Sequence, residues 1–198
     1  MDNMTISIEQ AQVILMPFLE RIEISIANAI EEYNKIDIQT RSKFKKRTKA
    51  SIINDFMAFN AAKELEGLPG VLFSHNRQRF SVFLDNEFQL MFKKLDCRLR
   101  PSNIQTLQVF QIENQIQTPL PDMPSPVTHI YAGYVWNDLQ TAIKDIYLTC
   151  PNGKYNEWEL KISAVKSPQV SPAEALTSSA SDSQTRRVFP KETDNSDE

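Results

Sequence analysis

From residue 79 to residue 96 the chain reads RFSVFLDNEFQLMFKKLD, two short runs in which side chains alternate about a break. Phe80, Val82 and Leu84 alternate with Ser81 and Phe83; Phe88, Leu90 and Phe92 alternate with Gln89, Met91 and Lys93. A period of two predicts two strands. Opposed residues of an antiparallel pair share a face, so the length of the loop decides which side chains meet. A two-residue turn at Asp85 and Asn86 would set Ser81 against Leu90 and mix the faces. A three-residue loop, Asp85 to Glu87, sets Leu84 against Phe88, Val82 against Leu90 and Phe80 against Phe92. Burial of one face selects the second register. It asks Glu87 to adopt a left-handed backbone and places Arg79 against Lys93 on the opposite face.

Helical periods flank this hairpin. Ile14, Phe18, Ile22, Ile26, Ile30 and Tyr33 recur at spacings of four and three within residues 7–34. Ser7 with Gln10 forms a candidate capping box. Pro17 means that this helix either kinks there or begins near Met16. A second helix is expected from about residue 50 to Leu65, through Ile52, Ile53, Phe56, Phe59 and Ala62 or Lys63, with Gly67, Pro69 and Gly70 ending it. Ser102 and Gln105 mark a third helix, about 103–115, before the proline-rich connector 118–126. Residues 128–136, 143–150 and 155–163 read as strands of an antiparallel meander, with Trp158, Leu160 and Ile162 on one side of the last.

These elements predict an α+β domain over 1–165, its N-terminal helices packed on a mainly antiparallel sheet of about five strands. From residue 166 the chain is acidic and rich in Ser and Pro, which predicts a disordered tail, 166–198. Arg186, Arg187, Val188 and Phe189 are its one candidate docking motif.

Net charge is −3, so the protein is not a generally basic nucleic-acid coat, and any such contact needs a local patch. Four glycines disfavour glycine-lined nucleotide folds. The N-terminus lacks the basic and apolar pattern of a signal peptide. No apolar run approaches the roughly 20 residues of a membrane span. The chain reads as cytoplasmic, with Cys97 and Cys150 as free thiols in small core positions.

Candidate chemistry is sparse. His75, His129, Cys97 and Cys150 lack metal-ligand spacing, so no metal or other cofactor is expected. His75, four residues before Arg79, is the better pair for a metal-free ribonuclease, since His titrates near neutrality. Glu159-Leu160-Lys161, with Asp145 upstream, matches a short metal-nuclease pattern in which carboxylates hold the ion and Lys positions water. Alternating Glu and Lys also suits any wet strand face. Basic residues group twice. Arg79, Lys93, Lys94, Arg98 and Arg100 lie around the hairpin; Arg41, Lys43, Lys45, Lys46, Arg47 and Lys49 lie in the interhelix segment. The two sets form a phosphate-binding candidate if they merge in space. Internal Asp or Glu partners would explain the first, and a solvated linker the second. Phe83 is the one aromatic placed on the basic side.

RTKASIINDFM (47–57), FKKLDCRLRPSN (92–103), AGYVWNDLQTAI (132–143) and CPNG (150–153) resemble a group of uncharacterised bacterial and prophage-associated proteins. The resemblance spans about residues 40–162 and carries no catalytic residues. It implies a place in mobile regions, in toxin–antitoxin or phage-regulation pairs. The expectation is therefore a protein-binding component of a toxin–antitoxin, defence or phage-regulatory pair, with a protein partner and DNA or RNA contact at its basic edge. A small nuclease toxin and a mobile-element assembly protein are the alternatives.

Overall fold

The computed structural model describes residues 5–76, 79–116 and 127–163. The connector 118–126 and the tail 166–198, including Arg186 to Phe189, lie outside these residues.

The fold is α+β, with N-terminal helices on a mixed sheet. Helix α1 (Ile8–Lys35) begins at the Ser7–Gln10 capping box, with both reciprocal bonds made. Pro17 lies inside it and does not mark its start. The missing N–H of Pro17 frees the carbonyl of Val13, and Val13 is 72% exposed, so water can serve that oxygen. Phe18, Ile22, Ile26, Ile30 and Tyr33 are buried as the period requires. The short helix α2 (Ile38–Ser42) follows, capped by Asp37. Helix α3 (Lys46–Leu65) starts four residues earlier than its apolar period suggests. It buries Ile53, Met57, Asn60, Ala61 and Leu65, while Phe59 is exposed. Asn60 hides the stripe from a hydrophobic count: it is polar yet buried, because its amide donates to Glu32 Oε1 (3.0 Å) and to the Phe56 carbonyl (3.0 Å).

Among the described residues six strands, where about five were expected, pair in sequence order: β1 (Val71–Asn76), β2 (Arg79–Leu84), β3 (Phe88–Lys94), β4 (Thr128–Trp136), β5 (Ile143–Asn152) and β6 (Tyr155–Ser163). Strand β1 has no alternating pattern to announce it, since Leu72 and Phe73 are both apolar and both partly exposed at the sheet edge. The hairpin takes the three-residue loop, with Leu84 against Phe88 and Val82 against Leu90. Asp85 (φ 49°) and Asn86 (φ 54°) supply the left-handed positions expected of Glu87. Asx side chains tolerate that region better than most.

The pair β3–β4 is parallel; every other pair is antiparallel. A parallel connection must cross the sheet, and helix α4 (Leu107–Glu113) lies within the segment that joins the two strands. That helix starts at Thr106, whose hydroxyl accepts from the Val109 N–H (3.2 Å), not at Ser102. Helices α1 and α3 pack on one face, against Val82, Leu84, Phe88, Leu90, Ile130, Ala132, Ile146 and Leu148. Opposite them Met91, Ile112 and Tyr131 form a separate small core under α4. Among the described residues no helix is long and apolar enough to cross a membrane.

Candidate anion-binding site

Strand alternation sorts the expected site residues. In β2 the even positions Phe80, Val82 and Leu84 turn toward α1 and α3, so Arg79, Ser81 and Phe83 occupy the α4 face. In β3 Phe88, Leu90, Phe92 and Lys94 take the helical side, and Gln89, Met91 and Lys93 the α4 side. Phe83 does not front the basic surface, because it is itself buried.

Arg79 and Lys93 are half-buried neighbours on the α4 face. Burial lowers the Lys93 ammonium below the usual lysine range, and the Arg79 guanidinium adds to it. Across the same face stands Tyr131, fully buried, its hydroxyl pushed up to about 12 by burial and then by the Glu113 carboxylate. The charges of Arg79 and Arg100 both reach Tyr131. Glu113 is also buried and is held by two amides: Asn103 donates to Oε1 (3.1 Å) and Gln105 to Oε2 (3.2 Å). Arg100 donates through Nη2 to the Gly153 carbonyl (2.8 Å). Its Nη1 is buried with no hydrogen-bond partner among the described residues. None of the three cations makes an ion pair among the described residues. The Asp96 carboxylate accepts from the backbone N–H groups of Arg98 (2.8 Å) and Arg100 (2.9 Å). A partly buried pair of positive charges without a carboxylate in an ion pair is complementary to an anion.

The helical side of the same sheet end carries a second cluster. Lys94, opposite Tyr134 in the ladder, lies near Lys46 at the start of α3. Lys49 sits over the Trp136 ring at 4.0 Å and over Tyr33 at 5.4 Å, and Arg41 over Tyr33 at 5.7 Å. Burial, Lys94 and Arg41 together lower the Lys49 ammonium. Lys45, the N-cap of α3, offers no side-chain bond, and the first turn holds no acidic residue. A stable isolated helix favours the opposite charge there. The two basic groups of the sequence therefore meet at the Lys93–Lys94 end of β3. Arg98 and Arg47 are exposed beyond them.

The other candidates separate. His75 pairs with Phe80 across β1–β2 and shares its face, with rings 5.1 Å apart, whereas Arg79 points the opposite way. The ribonuclease pair is thus split by the sheet. Lys161 forms an ion pair with Asp145. Glu159 sits opposite Thr149 and accepts from Asn156 (2.8 Å). Asp145 and Thr149 are four residues apart on β5, about 13 Å, too far for Asp145 and Glu159 to share one ion. Among the described residues no group of His, Cys, Asp and Glu is arranged to hold a metal. Cys97 is exposed rather than in the core, and the thiol of buried Cys150 is pushed up to about 12, chiefly by burial. A groove of about 530 Å³ beside Ile6, Glu9, Val13 and Glu87 is lined by no cation.

No sequence signal joined Glu113, Tyr131, Asn103 and Gln105, because only the placement of α4 brings them together. Gln115 anchors that placement. Its side-chain amide takes the His129 N–H (2.8 Å) and donates to the carbonyls of His129 (2.9 Å) and Pro151 (2.8 Å). Neither a protein-family model, nor a curated protein, nor a solved structure matches the chain.

Proposed function

We propose that this protein works by binding, and that its basic sheet end holds the phosphate backbone of a nucleic acid. The observation that carries this reading is the pair Arg79 and Lys93, partly buried on one face with no ion pair among the described residues. Phosphate oxygens supply the missing negative charge and accept several hydrogen bonds at once. Overall acidity does not oppose this. Five glutamates lie on α1, so positive charge at the sheet end is a matter of placement.

Catalysis is less well supported than binding. Tyr131 and Glu113 are buried, and a hydroxyl pushed to about 12 is poorly matched to proton transfer near neutral pH.

The test is a gel-shift titration with the double variant Arg79→Glu, Lys93→Glu. Binding should fall at least about tenfold, consistent with loss and reversal of two phosphate contacts. Unchanged binding in a folded variant would sink the reading.

A second reading, the protein-binding component of a toxin–antitoxin, defence or phage-regulatory pair, is favoured by Ile104, Leu107 and Phe110, all at least half exposed around α4. Purification from the native host should then bring down one stoichiometric protein that Leu107→Asp with Phe110→Asp releases.

A further inference from the structure

Resting on the nucleic-acid reading, we infer that the ligand is a single strand, laid over the end of β3 so that its phosphates meet cations on both faces of the sheet. The last two residues of the strand, Lys93 and Lys94, point to opposite faces because successive strand residues do. Each belongs to a different cation group. Lys93 stands with Arg79 of β2 on the α4 face, and Lys94 with Lys46 and Lys49 of α3 and Arg41 of α2 on the helical face.

A duplex is a stiff rod with a persistence length of about 150 base pairs and cannot bend around the edge of one sheet. A single strand has the flexibility to follow both faces.

The same residues say how the strand is read. Tyr33, Trp136, Tyr131 and Phe83, near the two groups, are buried, whereas Phe44, between Lys43 and Lys45, and Tyr147, opposite Gly133 in the ladder, are only partly buried. Lys49 already occupies a face of Trp136. No base stacks on the buried four, so recognition runs mainly through the backbone, with little sequence preference. The start of α3 adds to this. Its first N–H groups have no intrahelical acceptor and no capping side chain, and they lie beside Lys46.

The experiment is fluorescence anisotropy with a labelled mixed-sequence oligonucleotide of about 16 nucleotides, a length near the upper single-strand site size. It is offered as single-stranded RNA, as single-stranded DNA and as the DNA duplex, to wild type, Lys93→Gln and Lys94→Gln, across a salt series. The single strands should bind at least about tenfold tighter than the duplex. Each variant should lower the slope of log K against log salt by about 0.7, one phosphate contact on a single strand. RNA and DNA should bind alike, since neither base nor sugar is read; a preference of tenfold or more for either overturns backbone-only recognition. Equal binding of the duplex, or a slope altered by only one of the two variants, overturns the two-face path and leaves the nucleic-acid reading standing. Failure of wild type to bind any of the three overturns both.

Discussion

The two faces of the sheet are built from alternate residues of the same strands, yet they do different work. The helical face is dry. Val82, Leu84, Leu90, Ile130, Ala132, Ile146 and Leu148 are fully buried beneath α1 and α3. The α4 face interleaves Ser81, Gln89, Lys93, His129, Tyr131 and Thr149 with a small apolar cluster. His129 Nδ1, Thr149 Oγ and Arg100 Nη1 are buried there without hydrogen-bond partners among the described residues. Unsatisfied buried polar atoms cost stability. One face holds most of the apolar core, with the Tyr134 hydroxyl as a buried polar atom without a partner among the described residues, and the other carries more such atoms.

The largest expected effect lies on the dry face. Leu148→Ala should lower the unfolding free energy by about 2–5 kcal/mol, read by urea denaturation, because the cavity opens beneath two helices. A loss below about 1 kcal/mol would mean that this face is not the core.

Next comes the response of His129 to acid. Burial lowers its imidazole to about 4, so the folded protein holds it neutral. The unfolded chain binds its proton below about 6.5, so this contribution is full above that pH and is lost as the pH falls toward 4. The loss is on the order of 3 kcal/mol. His129→Asn should flatten the stability profile between those values, and an identical slope in the variant would contradict the assignment.

Gln115→Ala should cost about 2 kcal/mol, since the His129 N–H and the Pro151 carbonyl lose their buried partner. The accompanying change should be loosening of α4, seen as faster hydrogen exchange at Val109 and Ile112. Equal exchange in both proteins would show that α4 is anchored elsewhere.

The smallest expected effect is the most informative about the comparison. Lys93→Met should leave stability unchanged or raise it by less than about 1 kcal/mol, because it removes a partly buried charge beside Arg79. Destabilisation beyond about 1 kcal/mol would indicate an internal acidic partner for Lys93 and return the cluster to a structural role.

The dry face was largely legible in the sequence. The hairpin register followed from burying Phe88, Leu90 and Val82 on one side, and the strand 155–163 followed from its alternation. The buried stripe of α3 was less so, since Asn60 lies in it and Phe59 does not. The α4 face was mostly illegible. Its chemistry depends on a crossover that makes β3 and β4 parallel, and period-two patterning says nothing of strand direction. Gln115 and Glu113 read as ordinary polar residues until that crossover sets them against the sheet. Gly133 shows the same limit. An added Cβ there would meet the Lys93 carbonyl oxygen first and then Leu95 Cγ at 2.6 Å, contacts that exist only because β4 lies beside β3.

Thermal unfolding with and without a single-stranded oligonucleotide, in wild type and in Arg79→Gln with Lys93→Gln, tests the central claim most directly. A ligand bound to the native state raises the midpoint by mass action. The account predicts a rise for wild type, little or no rise for the variant, and similar midpoints for both proteins without ligand. An equal rise in both, or none in wild type, would contradict it.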